Sequence, residues 1–124
     1  VSPLPDPEAR AGAVFEALAD PTRRAVLRQV AEHGPTTATE VASVLPVTRQ
    51  AVAKHLGVLR SAGLVLPARR GRETRFTADP ERLAEAGRWL TATGTAWDQR
   101  LRRLAAHATD RTARAQGEQA PDGE

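Results

Sequence analysis

The chain has 124 residues, is 40% hydrophobic but only 3% aromatic, carries a formal net charge of +3 and contains no cysteine. About 100 residues, once frayed ends are discounted, make one modest core and no separate enzyme domain, and the lack of thiols excludes disulfides, thiol redox sensing and thiolate metal sites. With no run near the roughly 20 apolar residues of a membrane span, and no basic-then-apolar signal pattern in residues 1–10, the expectation is a soluble, cytoplasmic, mostly helical protein with a core of Ala, Val and Leu.

The elements begin after a loose arm, Val1 to Pro5. Asp6-Pro7-Glu8 offers an N-cap, a proline at the first helical position and an acid in the first turn, and Ala11, Val14, Phe15 and Leu18 recur at helical spacing. Asp20-Pro21 stops that helix and caps a second, Thr22 to about His33, whose buried stripe is Val26, Leu27, Val30 and Ala31. Gly34-Pro35 ends it. Thr37-x-x-Glu40 reads as a capping box for a short third helix that turns Val41, Ala42 and Leu45 inward and stops near Pro46.

Thr48 caps a fourth helix, running to about Ala62, with Val52, Leu56 and Leu59 on one face and Arg49, Gln50, Ala53, Lys54 and Gly57 on the other. Beyond Gly63, Leu64-Val65-Leu66 and Arg72 to Thr77 read as two strands around Arg70-Gly71, a hairpin in which Pro67 marks an edge. Asp79-Pro80 starts the last helix, Glu81 to about Ala108. Leu83, Ala86, Leu90, Thr93, Trp97, Leu101, Leu104 and Ala108 alternate along it at spacings of three and four, like a pairing seam. From Thr109 the pattern stops, so the expected organisation is one domain over residues 1–108 and a disordered polar tail over 109–124.

Every basic residue except Lys54 is an arginine, and Arg49, Lys54, Arg60, Arg69, Arg70, Arg72 and Arg75 fall between Thr48 and Thr77 against Glu73 alone. Taken by itself such a stripe is a solvated face; the order helix, tight turn, helix, basic hairpin is what selects double-stranded DNA as the partner. The junction Leu45-Pro46-Val47 makes a helix-turn-helix whose second member can enter a major groove. Arg49 suits a bidentate pair with guanine and Gln50 one with adenine, while the small Ala53 and Gly57 let the backbone approach base edges. Thr48 and the free amides of the first turn suit a phosphate oxygen, and Lys54 shares their exposed face. The hairpin adds Arg69, Arg70, Arg72 and Arg75 on a ribbon that can reach the backbone or the minor groove. His55 is either a phosphate or base contact or a partly buried packing residue.

The blocks Leu18-Ala19-Asp20-Pro21-Thr22-Arg23, Thr48-Arg49-Gln50-Ala51-Val52-Ala53-Lys54-His55-Leu56-Gly57-Val58-Leu59, Ala62-Gly63-Leu64-Val65 and Gly71-Arg72-Glu73 resemble, in order and spacing, the ArsR family of winged-helix repressors over about Val14 to Leu104. The resemblance implies a mainly α fold with a small β-hairpin, the winged helix-turn-helix of five helices and a two-stranded wing. It also implies a homodimer formed by the first and last helices, acting as a repressor on an imperfect inverted repeat, commonly in its own promoter. The interface residues on this reading are Val14, Phe15, Leu18, Trp89, Leu90, Trp97, Leu101 and Leu104.

Departures from the family bear on the inducer. The cysteine pair that arsenic-sensing members carry at the recognition helix has no counterpart around Val41 to Lys54, and of the acidic and histidine ligands that zinc-sensing members place along the last helix only Asp98 and His107 are matched. Gly71 to Leu104, with Trp89 and Trp97, is similar to the branch lacking the usual metal sites, so neither metal nor cofactor is expected and the inducer stays open. His33 ends a helix, where free carbonyls account for it. With no phosphate-cradling glycine motif and no histidine beside a nucleophile, an enzyme is not expected. Two alternatives remain at this stage: a sensor released from DNA by a metal or small molecule, with Asp98 and His107 forming an inter-subunit site, and a winged helix that binds protein rather than DNA.

Overall fold

The structure, a computed structural model, describes the backbone of residues 6–118 and the side chains of residues 6–106 other than Trp97. Its elements are α1 (Pro7–Ala17), α2 (Pro21–His33), α3 (Ala38–Val44), α4 (Arg49–Ser61), β1 (Val65–Arg70), β2 (Glu73–Ala78) and α5 (Pro80–Glu118). Five helices and an antiparallel two-stranded hairpin are the architecture that the sequence pattern predicts.

Each of the first four helices starts where a side-chain oxygen meets free backbone amides, which would otherwise lack partners. Asp6 accepts from the Ala9 N–H at 2.7 Å, Asp20 from those of Thr22 and Arg23 at 2.8 and 3.2 Å, and Thr48 from that of Ala51 at 3.1 Å. In α3 the capping box is complete, the Glu40 N–H donating to the Thr37 hydroxyl and the Thr37 N–H to the Glu40 carboxylate. The junction after α1 is secured from the other side as well. Arg23 donates to the Ala17 carbonyl at 3.1 Å and Arg24 to that of Leu18 at 2.6 Å, so the Asp-Pro-Thr-Arg-Arg run caps the end of one helix and the start of the next.

Helix α4 ends in a Schellman turn. The Gly63 N–H donates to the Arg60 carbonyl and the Leu64 N–H to that of Leu59, both at 2.9 Å, with Gly63 at φ +78°, a conformation that suits glycine. Leu59 and Leu64, brought together by that turn, are both fully buried. The strands pair in register from Val65 opposite Ala78 to Arg70 opposite Glu73. The loop is therefore Gly71-Arg72, one residue later than the pattern suggests. Of the two loop residues only Gly71 takes positive φ, as the first position of a type II′ turn requires. Thr36 bridges the outer edge of β2 through two backbone bonds with Phe76, tying the wing to the loop before α3.

The chain divides into two compact units between Trp89 and Leu90. The core of the first is aliphatic, as the scarcity of aromatics dictates. Val26 and Val30 of α2, Val41 of α3, Val52, Leu56 and Leu59 of α4, and Val65 of β1 are almost wholly enclosed. Ala31, expected in that core, is exposed instead; the Val26, Leu27 and Val30 stripe already fills the inward face of α2. Glu85, near the start of α5, holds Arg10 of α1 by paired bonds of 2.7 and 2.9 Å in a half-buried position. In the second unit α5 continues to Glu118, ten residues past the end read from the hydrophobic pattern. No proline interrupts that extension, and Arg111, Ala113, Arg114 and Ala115 within it are good helix formers.

Candidate nucleic-acid interface

Four residues join α3 to α4. Leu45 caps α3, the Val47 N–H donates to the Leu45 carbonyl at 2.8 Å and closes a tight turn about Pro46, and Thr48 opens α4. Burial of Val52, Leu56 and Leu59 fixes which way α4 faces. Its opposite side, with Thr48, Arg49, Gln50, Ala53, Lys54 and Gly57, is exposed as expected. A Cβ placed on Gly57 would meet open space, so internal packing does not demand a glycine there.

Between α4, the first turn of α3 and the wing lies an open groove of about 790 Å³. Arg49, Ala53, Gly57 and Arg60 line it from α4, and Arg69 and Arg72 face it from the hairpin. Four guanidinium groups thus share one concavity with the carboxylates of Glu40 and Glu73, and the arginines outnumber the acids. Gln50, Lys54 and Arg70 are exposed but lie outside the groove lining. Arg60, counted above in the basic stripe but given no DNA contact, lies eleven residues after Arg49 and returns to the same helix face, a signal the sequence does carry.

Two candidates sit differently. Arg75 is half-buried and ion-paired, 3.0 Å from Glu73 and 3.8 Å from Glu40, so it ties the wing to α3 rather than joining the exposed arginines. His55 is half-buried, its Nδ1 enclosed and without a hydrogen-bond partner among the described residues. That enclosure favours the packing alternative.

Glu40 anchors this region. It accepts from the Thr36 hydroxyl at 2.9 Å and from the Thr37 N–H, and faces Arg75, contacts that together hold its carboxyl below the usual glutamate range. A lowered folded pKa means that the stabilisation is complete above the unfolded value, about 4.3, and is lost as pH falls through the folded one. Glutamine can keep both hydrogen bonds but not the ion pair. Urea titrations of Glu40→Gln should therefore lose less stability between pH 7 and pH 3.5 than the parent chain does; an unchanged loss would leave Glu40 no part in it.

The residues expected at a subunit interface divide. Val14, on the core-facing side of α1, is 1% exposed within its own protomer and offers no surface to a partner, which corrects its place among the expected interface residues. Phe15 and Trp89 are half-buried against each other, ring centres 5.5 Å apart at 56°, and Leu18 packs partly on the core. Leu90, Leu101 and Leu104 are 54, 58 and 58% exposed. The side chains of Trp97 and His107 lie outside the described residues. Asp98 is engaged by Arg102 one turn on, at 2.9 Å. Among the described residues no three acidic or histidine side chains gather where a metal ion could be held, and no helix is long and apolar enough to cross a membrane.

Comparison with known proteins gives a consistent picture. The helix-turn-helix domain family matches residues 18–67, from the end of α1 into β1. The HTH-type transcriptional regulator Rv2034 of Mycobacterium tuberculosis is 46% identical over 70 residues, a stretch that covers 56% of this chain and 64% of that protein, just under two thirds of its length. An ArsR-like transcriptional regulator from Rhodococcus sp. RHA1 superposes with a TM-score of 0.74 at 39% identity, over 82% of this chain and 94% of its own. The ArsR family transcriptional regulator RHA00566 does so with a TM-score of 0.64 at 30% identity, over 77% of this chain and 97% of its own.

Proposed function

This chain belongs to the ArsR family of winged helix-turn-helix transcriptional regulators, DNA-binding proteins, and from that membership we propose that it is a homodimeric repressor of the branch without metal-sensing sites, bound to an inverted-repeat operator in its own promoter. The observation that carries the reading is the groove in which Arg49 and Arg60 of α4 oppose Arg69 and Arg72 of the wing. One wall enters the major groove and the other grips the flanking backbone.

In this reading two copies of α4 occupy successive major grooves about 34 Å apart. Arg49 pairs with guanine and Gln50 with adenine; Ala53 and Gly57 allow close approach; Thr48, Lys54 and the exposed wing arginines hold phosphates. The leucines of α5 that stand open in one protomer pair with those of a second copy. Repression follows when the bound dimer blocks polymerase.

The test is selection of duplexes from a random pool, followed by competition binding at two salt concentrations. Arg49→Ala should cut the preference for the selected duplex by about 1–3 kcal/mol. Arg72→Ala should instead weaken selected and random duplexes equally and reduce the salt slope by about 1. Enrichment of no sequence, or equal losses from both variants on both duplexes, overturns the reading.

A further inference from the structure

The Nε of Arg49 donates to the hydroxyl of Thr39, on the first turn of α3, at 2.9 Å across the exposed rim of the groove. This is the one side-chain bond from α3 to the outward face of α4 among the described residues. It uses a particular edge of the guanidinium. An arginine that reads guanine bidentately presents two parallel N–H groups to O6 and N7, and with Nε committed to Thr39 the two terminal nitrogens remain for that purpose. No other partner for the Arg49 side chain is present among the described residues.

We propose that Thr39 is a specificity-positioning residue, holding the Arg49 guanidinium in its base-reading orientation before DNA arrives. The inference rests on the reading of α4 as the helix that enters the major groove. Its physical basis is conformational entropy. Arginine has many rotamers, and a free one must be immobilised when the complex forms, at a cost to affinity that falls on the duplex able to use it. Random DNA does not require that one orientation, so the hydroxyl acts on discrimination rather than on general adhesion. Arg60, Arg69 and Arg72, the other guanidinium groups of the groove, have no such tether among the bonds of the described residues, as suits groups that need only lie near a phosphate.

Valine matches threonine in shape and in helix propensity but lacks the hydroxyl, so Thr39→Val isolates the bond, Thr39→Ser restores it, and Thr39→Ala is a second hydroxyl-free variant should valine disturb the fold. Each is compared with the parent on the duplex selected by the parent chain and on random duplex. The hydroxyl-free variants should lose about three- to tenfold in the ratio of the two affinities, with random binding unchanged and the loss confined to one guanine per half-site. Thr39→Ser should recover the ratio, and Thr39→Val should add nothing once Arg49→Ala is present.

The proposal fails if Thr39→Val loses equally on both duplexes, if serine does as badly as valine, or if the Thr39 and Arg49 losses are additive. A parent chain that selects no sequence at all would instead overturn the function proposed above, and this inference with it.

Discussion

A variant carrying Leu90→Glu and Leu101→Glu should sediment as a monomer and bind its selected duplex on the order of a thousandfold more weakly than the parent. The two leucines are 54 and 58% exposed in the protomer, eleven residues apart and hence on one face of α5, with Leu104 beside them. Burying two carboxylates against their symmetry mates would cost several kcal/mol for each ion, far more than any contact they could replace. Because they are exposed in the protomer, its own fold should survive, and far-ultraviolet circular dichroism should retain the helical signal. The binding loss follows from valency: a monomer engages one half-site, and joining two modules raises affinity by about 10²- to 10⁴-fold without any new contact. A variant that still sediments as a dimer would place the interface elsewhere. A monomer that keeps parental affinity would remove the dimer from the mechanism.

The second large effect concerns the helix that presents the groove. Leu59→Ala should destabilise the protein by about 3 kcal/mol, since a fully enclosed leucine is lost and a cavity remains. In a domain of this size that lowers the melting temperature by roughly 15 °C. The backbone bond from Leu64 to the Leu59 carbonyl survives the truncation, but Leu59 and Leu64 share the core beneath that Schellman turn, so loss of the side chain loosens the packing where α4 passes into the wing. Leu66→Ala is the control. Its side chain is 51% exposed, and truncation there should change stability by no more than about 0.5 kcal/mol. Equal losses at the two positions would show that burial does not distinguish them as the coordinates do.

Much of the site was legible before any coordinates. Asp20 and Thr48, together with the Thr37 and Glu40 box, marked the helix starts because capping acts over three residues, and the same positions carry the caps in the structure. Alternation of Val52, Leu56 and Leu59 with Arg49, Ala53 and Gly57 told which side of α4 is outward, because burial of one face exposes the other. The hairpin was readable to within one residue, its turn displaced because Gly71 occupies the first loop position rather than the second.

What failed to be legible has one physical character. Arg75 looks like Arg69, Arg70 and Arg72 in sequence, yet besides its neighbour Glu73 it faces Glu40, a partner that only the packing of wing against α3 brings near. Val14 and Leu90 are equally apolar and equally periodic, but one is sealed inside the protomer and the other open. Arg49 was legible as an outward cation, whereas its tether to Thr39 was not.

The amino-acid sequence by itself determined the order of the elements, their caps, the outward face of α4 and the density of positive charge from Thr48 to Thr77, since each of these depends on residues a turn or two apart. The tertiary structure alone decided which arginines stay free, which are held and which apolar faces remain uncovered. Those outcomes depend on groups that meet only when distant segments pack, as Arg10 and Glu85 do across 75 residues, and no local pattern encodes a partner at that distance.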